Sequence, residues 1–580
     1  MKMKRTFGIV LLCMAIPFST LISCNKENAS ADDSDSSSTS DGVSHEEESD
    51  YSWDSSSEIT ITLNGTSISA SSSNVTVNGS VATIVSAGNY RISGTLANGQ
   101  IVVDAGDDDL VRLILDGMSI TNSSSSALVI LKSDKTIINL VAGTINTIAD
   151  AATYTSFVDE DLNAALFSKS DLTIFGEGTL TVTGSYNDGI TSKDGLILKS
   201  GTYNVTAVDD GIRGKDFLII RDGTYTVTSG GDGIKSDNED SSEVGYVEID
   251  AGNFGITSSG DGISAQTNLT ILGSGTYTIK TGGGSGSGSA ANGYTGTTSA
   301  KAIKGQSSIE IDGGTFSISS ADDAIHSNGK VTIGSGDFMI STADDGIHAE
   351  TSITINGGTL SITKSYEALE SLNITVNGGD VSVIATNDAI NATAGTTSGG
   401  TEQNDGSCFT MTGGTLYASC DKGDAIDSNG NVVMTGGTVI ANGPASGIEE
   451  AADVNGSFNM NGGFFIGSGT NSNMNKSMST TSTQRNIYIL SSRSQIVAAG
   501  TIFRIQDASG TDIVTFKPVR NCSSVLFSSS TLETNITYSI YTGGTCTGTE
   551  SNGLYTGGTY SGGSLLKSFT LSGIVTKVSL

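Results

Sequence analysis

Paired carboxylates recur along this chain at a near-constant spacing. The stretch STADDGIHAETSITINGG, residues 341–358, sets Asp344 and Asp345 before a glycine and an isoleucine, and variants of the phrase return from residue 188 onward. Aligned on its polar residue, the phrase falls at Asp188, Asp210, Asp232, Asp261, Lys301, Asp323, Asp345, Glu367, Asp388, Asp424 and Ser446, with six of the ten intervals at 22 residues and one at 21. If these repeats stack as strands about 4.8 Å apart, neighbouring carboxylates repel by about 3–4 kcal/mol at an effective dielectric of ~20. A hard cation relieves that repulsion, and calcium, which takes roughly 6–8 oxygen ligands in flexible geometry, suits such a line. The richest group of candidate calcium ligands is Asp322, Asp323, Asp344, Asp345, Glu350, Glu367, Glu370, Asp388 and Asn391; a second is Asp188, Asp209, Asp210, Asp232 and Asp261. The plainer alternative is that aspartate favours turns through hydrogen bonds to nearby backbone.

The residue after each isoleucine of the phrase should point outward. That column reads Thr191, Arg213, Lys235, Ser264, Lys304, His326, His348, Glu370, Asn391, Asp427 and Glu449, basic at one end and acidic at the other. Lys193, Arg213, Lys215 and Lys235 are therefore candidates for contacting an anionic sugar polymer such as a uronate, the alternative being simple solvation of a charged face. His326 and His348 fall one repeat apart, where a transition-metal pair is a further alternative. The single tryptophan, Trp53, precedes the repeats, so no tryptophan stacking platform is expected; Tyr203, Tyr225 and Tyr277, each following a Gly-Thr turn, either supply an aromatic platform or pack inside.

The elements that must position these groups are short strands. With 75 Gly, only 3 Pro and 6% aromatics among 580 residues, the composition favours strands and tight turns over long helices. ITINGGTLSITKSYEALES, residues 353–371, shows a whole unit: strand, Gly-rich turn, strand, acidic turn, short strand. A unit of this size cannot bury its apolar face alone, so units must stack, and stacked three-strand coils make a parallel β-helix. Ile190, Ile212, Ile234, Ile263, Ile303, Ile325, Ile347, Leu369, Ile390, Ile426 and Ile448 would form an inward ladder, with small residues two positions on. Weaker copies at residues 126–140 and 164–180 extend the array upstream. The period stops near residue 468; residues 468–486 read as a linker, and residues 487–580 as a small antiparallel β-domain that could cap the open end of the helix.

The first residues read as targeting information. A basic MKMKR and an apolar FGIVLLCMAIPF precede LISC, which resembles a bacterial lipobox; the resemblance implies cleavage before Cys24, its lipidation, and an exported lipoprotein of the outer membrane or cell surface. A plain secretory signal is the alternative. Residues 25–56, rich in Ser, Asp and Glu, read as a solvated tether ahead of a β-helix over residues 57–467. The net charge of −32 argues against nucleic acid as a partner. Cys408, Cys420, Cys522 and Cys546 are an even set in an exported chain and suggest two disulfides; a monomer is expected.

YNDGITSKDGL, VDDGIRGKD, GGDGIKSD, ADDAIHSNG, ADDGIHAE and SYEALES, in this order, resemble the signatures of the calcium-binding, pectate-lyase-like β-helix proteins of the carbohydrate-binding domain-containing family, over about residues 57–580. The resemblance implies a right-handed parallel β-helix that holds calcium on the first carboxylate group and attaches to plant cell-wall polysaccharide, cellulose or pectin-like. KAIKG at Lys301 departs from the pattern and interrupts the carboxylate line. SYEALES carries Ala368 and Leu369 where family members usually show Gly-Ile. The reading that follows is a surface-tethered, non-catalytic polysaccharide binder. Its alternatives are a calcium-dependent polysaccharide lyase using Lys193, Arg213, Lys215 or Lys235 as base, and a structural or adhesive rod stiffened by calcium.

Overall fold

In the computed structural model, which describes residues 43–580 except 157, 288–292, 396–402, 473–475 and 492–495, the repeats wind into a parallel β-helix. Cys24 and its signal lie outside the described residues. Each coil gives one strand to each of three faces, and each strand pairs in parallel with its equivalent one coil on. Thr202–Ala207, Thr224–Ser229, Gly252–Ser258 and Gly275–Thr281 follow one another on the first face. Ile212–Gly214, Ile234–Ser236 and Ile263–Ala265 do so on the second, and Phe217–Ile220, Tyr246–Ile249 and Asn268–Ile271 on the third. The acidic turn sits at the corner between the first and second faces.

Alternation along each strand fills the core. Ile190, Ile212, Ile234, Ile263, Ile303, Ile325, Ile347, Leu369, Ile390 and Ile426 are fully buried and contiguous; burying each such side chain contributes about 1.5–3 kcal/mol. On the first face, Tyr203, Tyr225, Phe254, Tyr277, Phe316 and Phe338 stack at centroid separations of 4.5–4.9 Å. The three tyrosines are thus core, not an outward platform: their positions share the inward parity of Val205, Val227 and Ile279. Tyr203 and Tyr225 donate their hydroxyls to the carbonyls of Ser200 and Asp222, both at 2.8 Å.

Ile448 departs from the ladder and is exposed. The column continues instead at Glu450, whose amide donates to Asp424 Oδ1 and whose carbonyl accepts from Ala425. Ala452, not Ile448, takes the buried position, and Asp453 pairs with Asp427 in the outward column in place of Glu449. The phrase at Ser446 mimics the motif, but the strand registers four residues later, where the core accepts a small side chain.

Phe464–Gly469 is the last parallel strand of the first face, and Ser524–Ser528 pairs with it antiparallel. Asn486–Leu490 and Val575–Ser579 continue that sheet. The remaining C-terminal strands, Phe503–Asp507, Asp512–Phe516, Thr537–Cys546, Thr549–Ser551, Leu554–Thr556 and Tyr560–Thr570, form a separate six-stranded antiparallel sheet. Within the expected linker, the amides of Ser479 and Gln484 bond to the carbonyls of Phe458 and Met460, so this stretch runs along the third face. The expected disulfides do not form. Cys408, Cys420, Cys522 and Cys546 are free thiols: Cys408 lies on a third-face strand and Cys420 on a first-face strand of the same coil, while Cys522 is buried and Cys546 sits in the separate sheet.

The expected tether is not solvated throughout. From residue 43 the chain lies as a strap along the third face, whose outward side chains Ile197, Phe217, Ile219 and Tyr246 form an apolar cluster. His45 packs on Phe217 with ring centroids 4.0 Å apart, and Tyr51 and Trp53 meet Phe175 edge-on. Glu46 binds Arg221 at 2.7 Å and Lys199 at 3.2 Å, and the buried Asp50 binds Lys135 at 2.9 Å. The composition of residues 43–56 is too polar to fold alone, but this face supplies both the apolar surface and the cations that it lacks.

Candidate functional site

The carboxylate line has a backbone function before any chemical one. The column aspartates accept a hydrogen bond from the amide of the equivalent residue one coil on, whereas Glu367 accepts from the side chains of Asn387 and Asn391: Asp188 accepts from Asp210 at 3.3 Å, Asp210 from Asp232 at 2.8 Å, Asp232 from Asp261 at 2.7 Å and Asp261 from Lys301 at 2.8 Å. Asp323 accepts from Asp345 and Asp345 from Glu367, both at 3.1 Å, and Asp388 from Asp424 at 2.5 Å. At this corner the chain turns, and these amides are not taken up by ladder bonds, so the turn preference and the carboxylate repeat have a common cause.

Charge divides the line into two halves. In the N-terminal half the outward column supplies the cations. Lys235 lies 3.3 Å from Asp210 and 3.0 Å from Asp232, and Lys304 lies 2.9 Å from Asp261. Arg213 lies 3.8 Å from Asp188 and pairs with Asp237 at 2.7 Å. Asp209 is exposed and off the line. The second sequence-derived group, Asp188, Asp209, Asp210, Asp232 and Asp261, therefore does not fit a metal, because ammonium and guanidinium groups already stand where the ion would sit. Burial and the neighbouring Asp210 still push Asp188 up to about 6. Lys235, expected to face a sugar, is committed to this pairing. Lys301 does not break the line electrostatically either: its ammonium lies 2.7 Å from Asp322 and 3.3 Å from Asp323.

Beyond Asp323, among the described residues, no lysine or arginine pairs with the line until Lys476 meets Asp453 at 3.0 Å. His326 and His348 follow in the outward column, and then Glu370, Asn391 and Asp427. Asp345 is raised well above the usual carboxylate range by burial and by Asp323 and Glu367. Glu370 is pushed up to about 10 by burial, Glu367 and Asp345. Burial and like charge also raise Asp388 and Asp424, and Asp427 to about 7. Asn391 donates to Glu367 at 2.5 Å, while its buried Oδ1 has no hydrogen-bond partner among the described residues. Crowded carboxylates with an orphaned acceptor fit a divalent ion: Asp345 and Glu370 lie with His348 within 4.8 Å of one another, and Glu367, Asp388 and Asn391 are the further oxygen donors that would complete a site there. Asp344, pushed up to about 6 by burial and Asp323, joins Asp322 and Asp323 instead. Glu350 is exposed, outside the group.

At the corner between the second and third faces, Lys169, Lys193 and Lys215 occupy the same position in three successive coils, the amide of each bonding to the coil before. With Arg213 and Asp161 they line an open cleft of about 400 Å³. Lys169 is held by Asp159 at 2.7 Å and Asp161 at 3.1 Å, whereas no carboxylate lies within ion-pairing distance of Lys193 or Lys215 among the described residues. Burial and then Arg213 push the Lys193 ammonium down. The structure thus joins Lys193, Arg213 and Lys215, leaves out Lys235 and adds Lys169. The signal for Lys169 was in the phrase SKSD, which parallels SKDG at Lys193.

Residues 78–346 match the family model of the carbohydrate-binding domain-containing protein. The matched stretch contains the basic cleft and the carboxylate line as far as Asp345. A curated protein of Acetivibrio thermocellus with the same description is 38% identical over 126 residues, which is 21% of this chain and 44% of that protein. The match thus spans less than half the length of that relative. A solved structure, the gadolinium derivative of the polysaccharide lyase-like protein from C. thermocellum, aligns with 51% of this chain and 96% of its own length, at 26% identity and a TM-score of 0.37.

Proposed function

We propose that this protein is a non-catalytic, calcium-binding polysaccharide binder, tethered to a cell surface through lipidated Cys24, and that an acidic cell-wall polymer lies against its basic cleft. The observation that carries the reading is the pair of uncommitted ammonium groups, Lys193 and Lys215, one coil apart in an open cleft within the stretch matched to the carbohydrate-binding family. Cationic side chains at coil spacing, about 4.8 Å, can follow a polymer that carries one carboxylate per sugar. Calcium, held by the oxygen-only half of the line, would relieve the repulsion there and stiffen the rod.

Affinity electrophoresis of the tether-free protein through gels containing polygalacturonate or a soluble cellulose derivative, with calcium and with chelator, tests the proposal. Retardation in polygalacturonate that is lost in Lys193→Ala/Lys215→Ala supports it. Unchanged mobility in every gel, with calcium still bound, leaves the structural rod as the function. The lowered Lys193 favours a second reading, a lyase in which that amine removes the proton α to a uronate carboxylate. Release of unsaturated, ultraviolet-absorbing fragments from polygalacturonate would establish it.

A further inference from the structure

We propose that His326, His348 and Asp323 form a binding site for one zinc-class divalent ion, separate from the oxygen-only half of the carboxylate line. His326, on Ile325–Ser327, pairs with His348, on Ile347–Ile355, one coil on. Their ring centroids are 5.0 Å apart. One nitrogen of each ring and one oxygen of Asp323 lie within 4.8 Å of one another. From Asp323 Oδ2, His326 Nδ1 is at 2.8 Å and His348 Nδ1 at 4.0 Å. A tetrahedral zinc with bonds of about 2.0 Å sets its ligand atoms roughly 3.3 Å apart, so both separations are within an ångström of that arrangement.

The remaining ring nitrogens point to a metal. His326 Nε2 is 3.0 Å from Asn328 Oδ1, and His348 Nε2 faces Glu350 Oε1 at 3.8 Å. The His326 imidazole therefore meets oxygen acceptors at both nitrogens, while a neutral imidazole has a single N–H. With that proton on Nε2, the His326 Nδ1 lone pair faces Asp323 Oδ2, and that of His348 lies between Asp323 and Asp345. A cation between the three resolves the conflict, and for His326 the Nε2–H donated to Asn328 Oδ1 is the outer hydrogen bond that orients a metal-bound histidine. Two nitrogens and one oxygen select zinc, cobalt, nickel or copper over calcium. Lys301, 3.3 Å from the same Asp323 oxygen, must withdraw onto Asp322, which it already meets at 2.7 Å, for the ion to enter, and Asp345, 3.4 Å from His348 Nδ1, offers a fourth donor on the other side.

Titrating Co²⁺ into the calcium-saturated full chain, and following its visible absorption, tests the site. The expected result is one ion per chain with a ligand-field band that Zn²⁺ abolishes and calcium does not. The band should be lost in His326→Gln and His348→Gln and kept in His45→Gln, and affinity should fall about tenfold in Asn328→Ala. Binding of equal strength in both histidine variants, or competition by calcium, overturns the proposal, as does the absence of a band. Nitrogen-15 histidine spectra of the unaltered protein give an answer that does not depend on the variants folding: Zn²⁺ must shift Nδ1 of both rings, and a failure to do so also overturns it. Asp345 borders both sites, so the calcium reading is tested at Glu367, Glu370, Asp388 and Asn391, which the histidine variants leave unaltered, and the two readings can fail separately.

Discussion

At Lys301 the line trades a carboxylate for an ammonium, and the new cation settles between Asp322 and Asp323 of the next coil. Removing one member of a buried ion pair costs about 3 kcal/mol, so Lys301→Ala should lower stability by about that much in chelator, measured by denaturant unfolding. Calcium should restore a larger part of the loss in the variant than it adds to the parent, since the vacated position becomes an oxygen-lined cation site. The acid-only half makes a pH prediction. A carboxyl whose folded pKa is raised above its unfolded value, about 3.9 for aspartate, adds stability that is complete below the unfolded value and is lost as pH rises through the folded one. With Asp427 at about 7 and Glu370 at about 10, the chelated protein should melt at a lower temperature at pH 8 than at pH 5. Asp323, held below the usual range because His326 and Lys301 outweigh its burial, has the opposite sign, and its contribution is lost only in acid. Scanning calorimetry at both pH values, with chelator and with calcium, checks this; calcium should abolish the decline.

Among the elements, the strap is the one whose position is set wholly by what it touches. It has two 3₁₀ turns, Glu48–Tyr51 and Ser55–Ser57, too short to persist alone. It is held by Glu46, Asp50 and three rings against Arg221, Lys135, Phe175 and Phe217. Trp53, the single tryptophan, lies on Phe175 and under the Arg112 guanidinium at 5.6 Å, so its fluorescence reports docking. Asp50→Ala leaves Lys135 facing an empty partner position; it should loosen the strap, shift Trp53 emission to the red and raise its quenching by acrylamide, while the far-ultraviolet β signal is kept. Unchanged quenching would mean that the aromatic contacts alone seat the strap. The slip at Glu450 belongs to the same scale: a motif-like SGI at residues 446–448 loses to EAA at 450–452 because the coil is positioned by its hydrogen-bonded corner and not by its most apolar residue.

Seen as a whole molecule, the rod is polarised. Lysines and arginines line the cleft and the line toward the N-terminal coils, and carboxylates dominate after Asp345, within a net charge of −32. On the proposed function, an acidic polymer should be attracted to one end and repelled by the other, and added salt or calcium should extend the length of polymer that the rod tolerates. The far end is closed by Ser524–Ser528 on Phe464–Gly469, and the cluster beneath joins Ile440 and Ile466 to Phe503, Phe527 and Ile540. A chain truncated after residue 469 would expose both an unpaired strand edge and that apolar surface, the combination that templates edge-to-edge association. It should elute as oligomers in size-exclusion chromatography where the full chain elutes as one species; a monomeric truncated rod would show that the last coil protects itself.

The repeat period, the inward isoleucines and the acidic corner follow from sequence alone, because a stacked coil demands the same residue type at the same position every turn. The β-helix was legible for that reason. What only the tertiary structure decided depends on neighbours from other coils or from distant segments: that Lys235 and Lys304 neutralise the N-terminal carboxylates while Lys193 and Lys215 stay uncommitted, that Tyr203, Tyr225 and Tyr277 face inward, and that an acidic leader docks on cations far along the chain. Periodicity specifies which residues stack. Which way a long charged side chain leans, and which partner it meets, is decided by the competition among charges that only the assembled coils bring within reach.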